Sequence, residues 1–421
     1  MSLREWLDWL KVFLRERYVI VSLLVLGIFI FPDYTAPGFA MAALVAAAGE
    51  KKKTGRKIFS LAVSGKFLLI FIADLAVTII YSMSRVSSLL TVLMWLSMFS
   101  IYYALRAVIT DNERFRRLMQ LLTLCVGLLG LISCLQYIAC AVLDMDYKYL
   151  HFWWFLDDAV SHFFPLRSFT DDMRSASTFM NPNIFAEVMV CLLPLCYYAV
   201  GKARHDGTKN LFVICILIGT LGTAFSFSRA SYFCMFCLLV LTVIFIVKRM
   251  TKHQARLFIS VVVIAGLLVL FTPNIFMDRI MKLHTGDASV KDHILEWKSA
   301  FRAISHRLIM GYGVGSAVSK QVMSSYGLQV LHSHNLYLEL LLEGGIPALL
   351  TFAAPTVICL KNQICEMYKK RKNNLLGFCM FSAVFMFLIF GLSDYPLLTP
   401  GLIGSFILLM TLSDISMDLF S

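Results

Sequence analysis

Apolar residues run through this chain in blocks long enough to cross a bilayer, divided by short charged stretches. A crossing takes about 20 mostly apolar residues, fewer where neighbouring helices cover its ends. The pattern predicts twelve transmembrane helices, near 18–32, 35–49, 58–81, 86–105, 118–144, 183–200, 211–227, 230–247, 257–273, 335–360, 375–393 and 398–417. Ahead of them, Leu3, Trp6, Leu7, Leu10, Phe13 and Leu14 recur at helical spacing against a charged face running from Arg4 to Arg17. That predicts an interfacial amphipathic helix over 1–17, retained rather than cleaved as a signal peptide. Two connections are long, 145–182 and 274–334, and the second carries a helix-compatible run from Ile294 to Leu308. The expectation is an all-α polytopic integral membrane protein of about 12 transmembrane helices, with a helical extracytoplasmic cap formed mainly by the loop between the ninth and tenth. Its parts are the helix 1–17, spans one to nine with their outer loop over 18–273, the large loop 274–334, and the last three spans over 335–421.

Composition narrows the class. Of 421 residues 59% are hydrophobic and 15% charged, which excludes an ordinary soluble domain, and 34 Phe with 16 Tyr exclude disorder. A net charge of +12 would raise nucleic acid as a partner in a soluble protein. Here its placement reports topology instead, and no nucleic-acid partner is implied. Loops assigned to the inner side hold 25 of the 38 Lys and Arg, outer loops hold 12, and Lys66 lies within a span. Both termini are therefore expected on the cytoplasmic side. The 11 cysteines fall in or beside apolar stretches, so no disulfide framework is expected. Cys234 and Cys237 have redox spacing but read as buried packing inside an apolar run.

Chemistry concentrates at three outer positions. The first is Arg174-Ser-Ala-Ser-Thr-Phe-Met-Asn181-Pro182-Asn183, where Asn183 can cap the sixth span and Arg174 can either bind a phosphate or pair with Asp171 or Asp172. The second is Phe225-Ser-Phe-Ser228-Arg229-Ala230-Ser231, a tight turn in which Arg229 either grips a diphosphate or snorkels to head groups. The third is His332-Ser-His334-Asn335-Leu-Tyr337-Leu-Glu339, whose imidazoles can take a proton from a hydroxyl near neutral pH. Two histidines without a third convergent ligand give little reason to expect a metal. Glu343-Gly344-Gly345-Ile346-Pro347 predicts a broken tenth span, with Glu339 and Glu343 on one face, placed to orient a histidine or an arginine. Gly311-Tyr-Gly313-Val-Gly315 reads as a turn inside the cap.

In this order the three constellations resemble the O-antigen ligase and polymerase superfamily of bacterial envelope glycan enzymes, from about Arg174 to Pro347. His334-Asn335-Leu336-Tyr337-Leu338 with Glu343-Gly344-Gly345-Ile346-Pro347 is similar to its His-Asn-x-Tyr-Leu and Glu-x-Gly-Ile-x-Gly motif. Ser228-Arg229-Ala230 resembles its Ser-Arg-Gly turn, Asn181-Pro182-Asn183 its Asn-Pro-Asn helix start, and Gly311 to Gly315 its Gly-x-Gly turn. The resemblance implies an O-antigen ligase-like glycosyltransferase, needing neither metal nor cofactor, in the bacterial cytoplasmic membrane. It would move a glycan from an undecaprenyl-diphosphate-linked donor to a glycan or lipid acceptor hydroxyl on the outer face. The same resemblance places catalytic roles on Arg229 and His334, with Arg174, His332, Asn335, Tyr337 and Glu339 toward substrate. One departure stands out: the family's arginine shortly before a tryptophan is absent from Lys291-Asp292-His293-Ile-Leu-Glu296-Trp297. Lys291, His293, Arg279 or Arg302 is left to supply that charge, and Ala230 replaces a glycine.

Three other functions compete. A polymerase of the same superfamily uses the same donor and differs only in the acceptor. A twelve-span transporter of lipid-linked or small substrates would carry repeated halves with a long central cytoplasmic connection, whereas here 201–210 is short and no internal repeat is evident. An inactive polymer-binding scaffold would account for the absent arginine.

Overall fold

The computed structural model describes residues 16–31, 33–54, 60–143, 174–179, 181–247, 288–369 and 374–420. Within these the regular structure is helical: α1 (Arg17–Ile30), α2 (Ala36–Thr54), α3 (Val63–Thr78), α4 (Arg85–Val108), α5 (Asn112–Leu143), α6 (Pro182–Gly201), α7 (Asp206–Ala224), α8 (Arg229–Val247), α9 (Ala288–His306), α10 (Ser316–Ser324), α11 (Leu336–Lys369), α12 (Leu375–Phe390) and α13 (Pro400–Phe420), with one 3-10 turn at Asp33–Thr35. Six of them, α4, α5, α6, α7, α11 and α13, are long and apolar enough to cross a membrane. This is a helical integral membrane protein. Eleven of the twelve expected spans fall on a helix. The remaining one, 257–273, lies outside the described residues, as do most of the expected helix 1–17 and most of the loop 145–182.

Helix starts follow local chemistry. At α6 the Asn181 side chain accepts from the Asn183 N–H at 2.7 Å and Pro182 takes the first helical position, where its missing donor costs nothing. The cap is thus Asn181, not the expected Asn183, whose own amide is engaged elsewhere. Helix α5 begins six residues before the expected span, because Asp111 accepts from the N–H groups of Glu113 and Arg114 and draws the basic turn into the helix.

Aromatic side chains join five helices at the centre. Phe71 of α3 meets Trp95 of α4 edge-on at 5.1 Å and Phe352 of α11 at 5.8 Å, while Phe406 of α13 stacks on both Phe352 and Phe387 of α12 at 5.0 Å. All five rings are buried. A second, smaller core lies apart, built from Ala300, Ala303, Ile304, Val318, Val322 and Met323 of α9 and α10 against Leu338 and Leu342 of α11.

The two ends of the bundle gather different segments. At one end Glu113 accepts from Arg116, Arg117 and Arg204, Arg117 reaches the Tyr18 hydroxyl at 2.6 Å, and Arg106 pairs with Asp418 at 2.8 Å. This end therefore gathers the start of α1 and the close of α13. The other end gathers the Asp33 turn, the α3–α4 connection, the start of α6, the α7–α8 turn and the segments 308–335 and 391–399.

Helix α11 is broken where its sequence foretold. Gly345 adopts φ 68° and ψ −159°, and Pro347 has no N–H to give. The freed backbone groups find partners in the segment before α10: Tyr312 N–H donates to the Leu342 carbonyl and Gly313 N–H to that of Glu343, both at 2.8 Å, and Ile346 N–H donates to the Leu308 carbonyl at 3.0 Å. That same segment is stitched to the α3–α4 connection through Tyr81, Thr78 and Ser88. The Gly311–Gly315 stretch is therefore a bridge onto the bundle, not the expected internal turn.

Candidate functional site

His334 lies at the mouth of α11, and its neighbours arrive from three separate elements. Asn335 caps the helix, accepting from the N–H groups of Tyr337 and Leu338, and its amide donates to the Leu392 carbonyl at 2.9 Å. Tyr337 donates its hydroxyl to the Leu388 carbonyl. Expected to face substrate, both residues instead tie α11 to α12 and thereby bring the 391–399 turn against the histidine. There Asp394 Oδ1 lies 3.1 Å from His334 Nδ1 and also accepts from the Tyr395 N–H at 2.9 Å.

This contact assigns the proton on His334. Nδ1–H donates to the carboxylate, which leaves Nε2 as an acceptor. Burial alone would lower the His334 imidazole, but the hydrogen bond and charge of Asp394, backed by Glu296 and Glu339, hold it above its ordinary value. Burial works to raise the Asp394 carboxyl, yet the hydrogen bond and charge of His334, with His332 behind, bring it down to about 2. His332 is different. Burial, reinforced by the charge of His334, brings it down to about 4, and its Nδ1 accepts from the His334 N–H at 3.2 Å. It is a neutral support at any physiological pH.

Helix α9 supplies a third side. His293 pairs with Glu296 at 3.0 Å and meets the His334 ring edge-on at 4.8 Å, while the Trp297 indole approaches the His334 carbonyl at 3.4 Å. His332, His334 and Asp394, and likewise His293, Glu296 and His334, have ligand atoms within 4.8 Å of one another, so each trio is spaced to hold a metal ion. Both carboxylates are, however, committed to imidazoles in these positions.

The two buried glutamates of α11 meet backbone N–H groups and a tyrosine hydroxyl rather than an arginine. Glu339 accepts from the Ser333 N–H at 2.7 Å; Glu343 accepts from the Gly315 N–H at 2.8 Å and from the Tyr395 hydroxyl at 2.7 Å. They fix the loops on both flanks of His334.

Arg174 and the Arg229 turn form one platform. Arg174 Nε donates to the Ser226 carbonyl at 2.9 Å and its terminal nitrogen to Asn183 Oδ1 at 2.6 Å, while Ser175 N–H donates to the Phe225 carbonyl. The segment is pinned from α5, where Gln136 brackets Ser177 by donating to its carbonyl at 2.7 Å and accepting from its N–H at 2.8 Å. Three non-glycine residues among those described have positive φ, namely Ser177 (55°), Phe227 (50°) and His334 (48°). Each lies in one of the three constellations and holds a backbone conformation that costs energy there.

A cavity of about 1040 Å³ opens beside the histidines, with His332, His334, Glu343, Tyr395 and Asn181 in its wall. Of the residues expected to replace the missing arginine, His293 is in the cluster. Lys291 and Arg302 are exposed and not in the cavity wall, and Arg279 lies outside the described residues. Sequence reading did not find Asp394, Tyr395 or Glu187, which is buried in α6 close enough to Asp394 for their charges to interact. The available signal was a costly one: an acid in or at the edge of apolar spans.

Residues 213–353 match the family model for O-antigen ligase. The match takes in the Arg229 turn, the histidine cluster of α9 and α11 and the break at Gly345, and leaves out Arg174 and Asp394. No curated protein matches the chain. Over residues 213–353 the chain is thus similar to the O-antigen ligase family.

Proposed function

We propose that the chain is an O-antigen ligase-like glycosyltransferase, taking a glycan from an undecaprenyl-diphosphate donor to an acceptor hydroxyl at the outer face of the bacterial cytoplasmic membrane. The observation that carries this reading is the His334–Asp394 pair, held at 3.1 Å at the mouth of a large cavity. The acceptor hydroxyl gives its proton to His334 Nε2, and its oxygen bonds to the anomeric carbon of the donor glycan. The bond from that carbon to the phosphate oxygen breaks, and undecaprenyl diphosphate leaves with the electron pair. Arg229 and Arg174, on their shared platform, meet the departing charge, and Asp394 steadies the imidazolium. Of Lys291, His293, Arg279 and Arg302, His293 is the candidate that stands against His334. With arginines serving the diphosphate, the reaction needs no metal.

The proposed topology has twelve spans, the ninth at 257–273, and both termini cytoplasmic. It is supported by the gathering of Arg106, Arg116, Arg117 and Arg204 at one end of the bundle and of the site at the other. Helices α9 and α10 then form the extracytoplasmic cap.

Reconstitution tests the reading directly. Purified protein with an undecaprenyl-diphosphate-linked glycan and candidate acceptors should transfer glycan with chelator present, and His334→Ala should stop it. Transfer to a second lipid-linked chain rather than to a different acceptor would make the enzyme a polymerase. No glycan loss from the donor with folded protein would leave the transporter and scaffold readings.

A further inference from the structure

Helix α9 does not stay among the loops. It begins beside the histidines, where His293 meets the His334 ring and the Trp297 indole approaches the His334 carbonyl. The segment after it reaches the break in α11, where the Leu308 carbonyl accepts from the Ile346 N–H at 3.0 Å. Ile346 is ten residues beyond Leu336, the first of α11, or about 15 Å along a helix, so α9 descends beside α11.

The depth of its far end follows from α11. Between Glu343 and Lys361 that helix carries no charged residue, and the uncharged run 344–360 covers about 26 Å, close to a hydrocarbon layer of about 30 Å. Ile346 is the third residue of the run, so its partner Leu308 lies just inside the apolar layer on the His334 side. The bend that Leu308 opens is apolar and open: Leu308, Ile309 and Met310 are 45%, 70% and 52% exposed. It continues the lipid-facing surface of the bundle, since Ile346 and Leu350 of α11 on one flank and Val77 and Ile80 around the end of α3 on the other are exposed as well. Its backbone is prepared for such a layer. The Tyr81 hydroxyl donates to the Met310 carbonyl at 2.6 Å and the Gly311 N–H to the Arg307 carbonyl at 2.8 Å, so these groups do not enter lipid bare. Farther up, Lys298 and Arg302 stand one turn apart on the exposed side of α9, within reach of lipid phosphates for long cationic side chains.

We propose that Leu308-Ile309-Met310 inserts into the bilayer leaflet on the His334 side as a membrane anchor for α9, with Lys298 and Arg302 at the lipid phosphates. The anchor fixes the far end of the helix whose near end brings His293 and Trp297 to His334, and it holds whatever reaction that site performs. The test uses full-length protein in nanodiscs of phosphatidylethanolamine and phosphatidylglycerol, with the native cysteines replaced and a bimane on a single new cysteine. At Ile309, lipid with a nitroxide high on its acyl chain should quench about threefold or more better than lipid with the nitroxide on its head group. At Arg302 the preference should reverse. At Gln321, exposed in α10, iodide in the water should be the strongest quencher of the three. Strong iodide quenching at Ile309 places the bend in water and overturns the proposal. Insensitivity to all three overturns it equally, because another segment of the chain then covers the bend. Protein of native sequence gives a second measurement that no poorly folded variant can blunt: a phospholipid with a diazirine on its acyl chain should crosslink to residues 308–310 on irradiation. Crosslinks confined to the apolar spans would remove the anchor.

Discussion

His334 combines two features: a left-handed backbone at φ 48° and an imidazole bound to a carboxylate sixty positions away. The backbone conformation costs on the order of 1–3 kcal/mol, and it aims the ring back at Asp394 instead of along α11. If Nε2 is the base, His334→Ala should lower transfer by about 10²–10⁴-fold while the protein remains folded, as reconstituted turnover would show. Asp394→Asn makes a sharper prediction. A base works only in its neutral form, so the rate climbs as pH rises through the His334 pKa, which Asp394 holds up against burial. Without that charge only Glu296 and Glu339 still oppose burial, and the pKa falls. The acid limb of the pH–rate profile should therefore move to lower pH, and kcat should drop because the ring loses its anchor. An unchanged acid limb would remove Asp394 from this role. Arg229→Lys should raise the donor KM, since an ammonium cannot grip two phosphate oxygens as a guanidinium fork does.

At the scale of elements, much was legible because helix starts and breaks are local chemistry. The capped start of α6 and the break in α11 both lie in short runs of Asn, Pro and Gly, and the structure keeps both, moving the cap only from Asn183 to Asn181. What joins one element to another was not legible. Gln136 lies inside an apolar run, and nothing near it in sequence shows that its amide will bracket Ser177, 41 residues away. Asp394 and Tyr395 sit in a short turn after α12 and reach His334 and Glu343 only because α11 and α12 pack side by side. A polar side chain buried in this way is engaged by the fold, and removing it strands the groups it held. Gln136→Leu should therefore release the strained 174–179 segment and loosen the arginine platform. The expected signature is a donor KM raised several-fold with the acceptor KM little changed; equal changes in both would indicate general destabilisation instead. Close packing of α5 on α7 supports the same platform. A Cβ on Gly130 would stand 2.5 Å from the Gly219 Cα, where backbone faces backbone and neither can turn aside. Gly130→Ala should lower stability by about 1–3 kcal/mol, read as a fall in the thermal midpoint in detergent.

Across the whole molecule, the arrangement follows from alternation. Each apolar helix carries the chain to the opposite end, so alternate connections share an end however far apart they lie in sequence. Those connections differ in what they gather: Arg106, Arg116, Arg117 and Arg204 with Glu113 and Asp418 at one end, the histidines, Asp394 and the Arg174 platform at the other. On the positive-inside rule the first end is the one expected on the cytoplasmic side. The cavity was not visible, since its wall is assembled from seven stretches of chain that share no motif. The alternation fixes what labelling must show. In a background with the native cysteines replaced, a cysteine at Gln321, exposed in α10, should react with a membrane-impermeant maleimide on intact cells. One at Arg204, exposed between α6 and α7, should react only after permeabilisation. Reversal of both would turn the molecule over and place His334 on the cytoplasmic side, away from any glycan already carried across the membrane. Labelling of both from outside would break the alternation itself, and the separation of a basic end from a catalytic end would lose its physical basis.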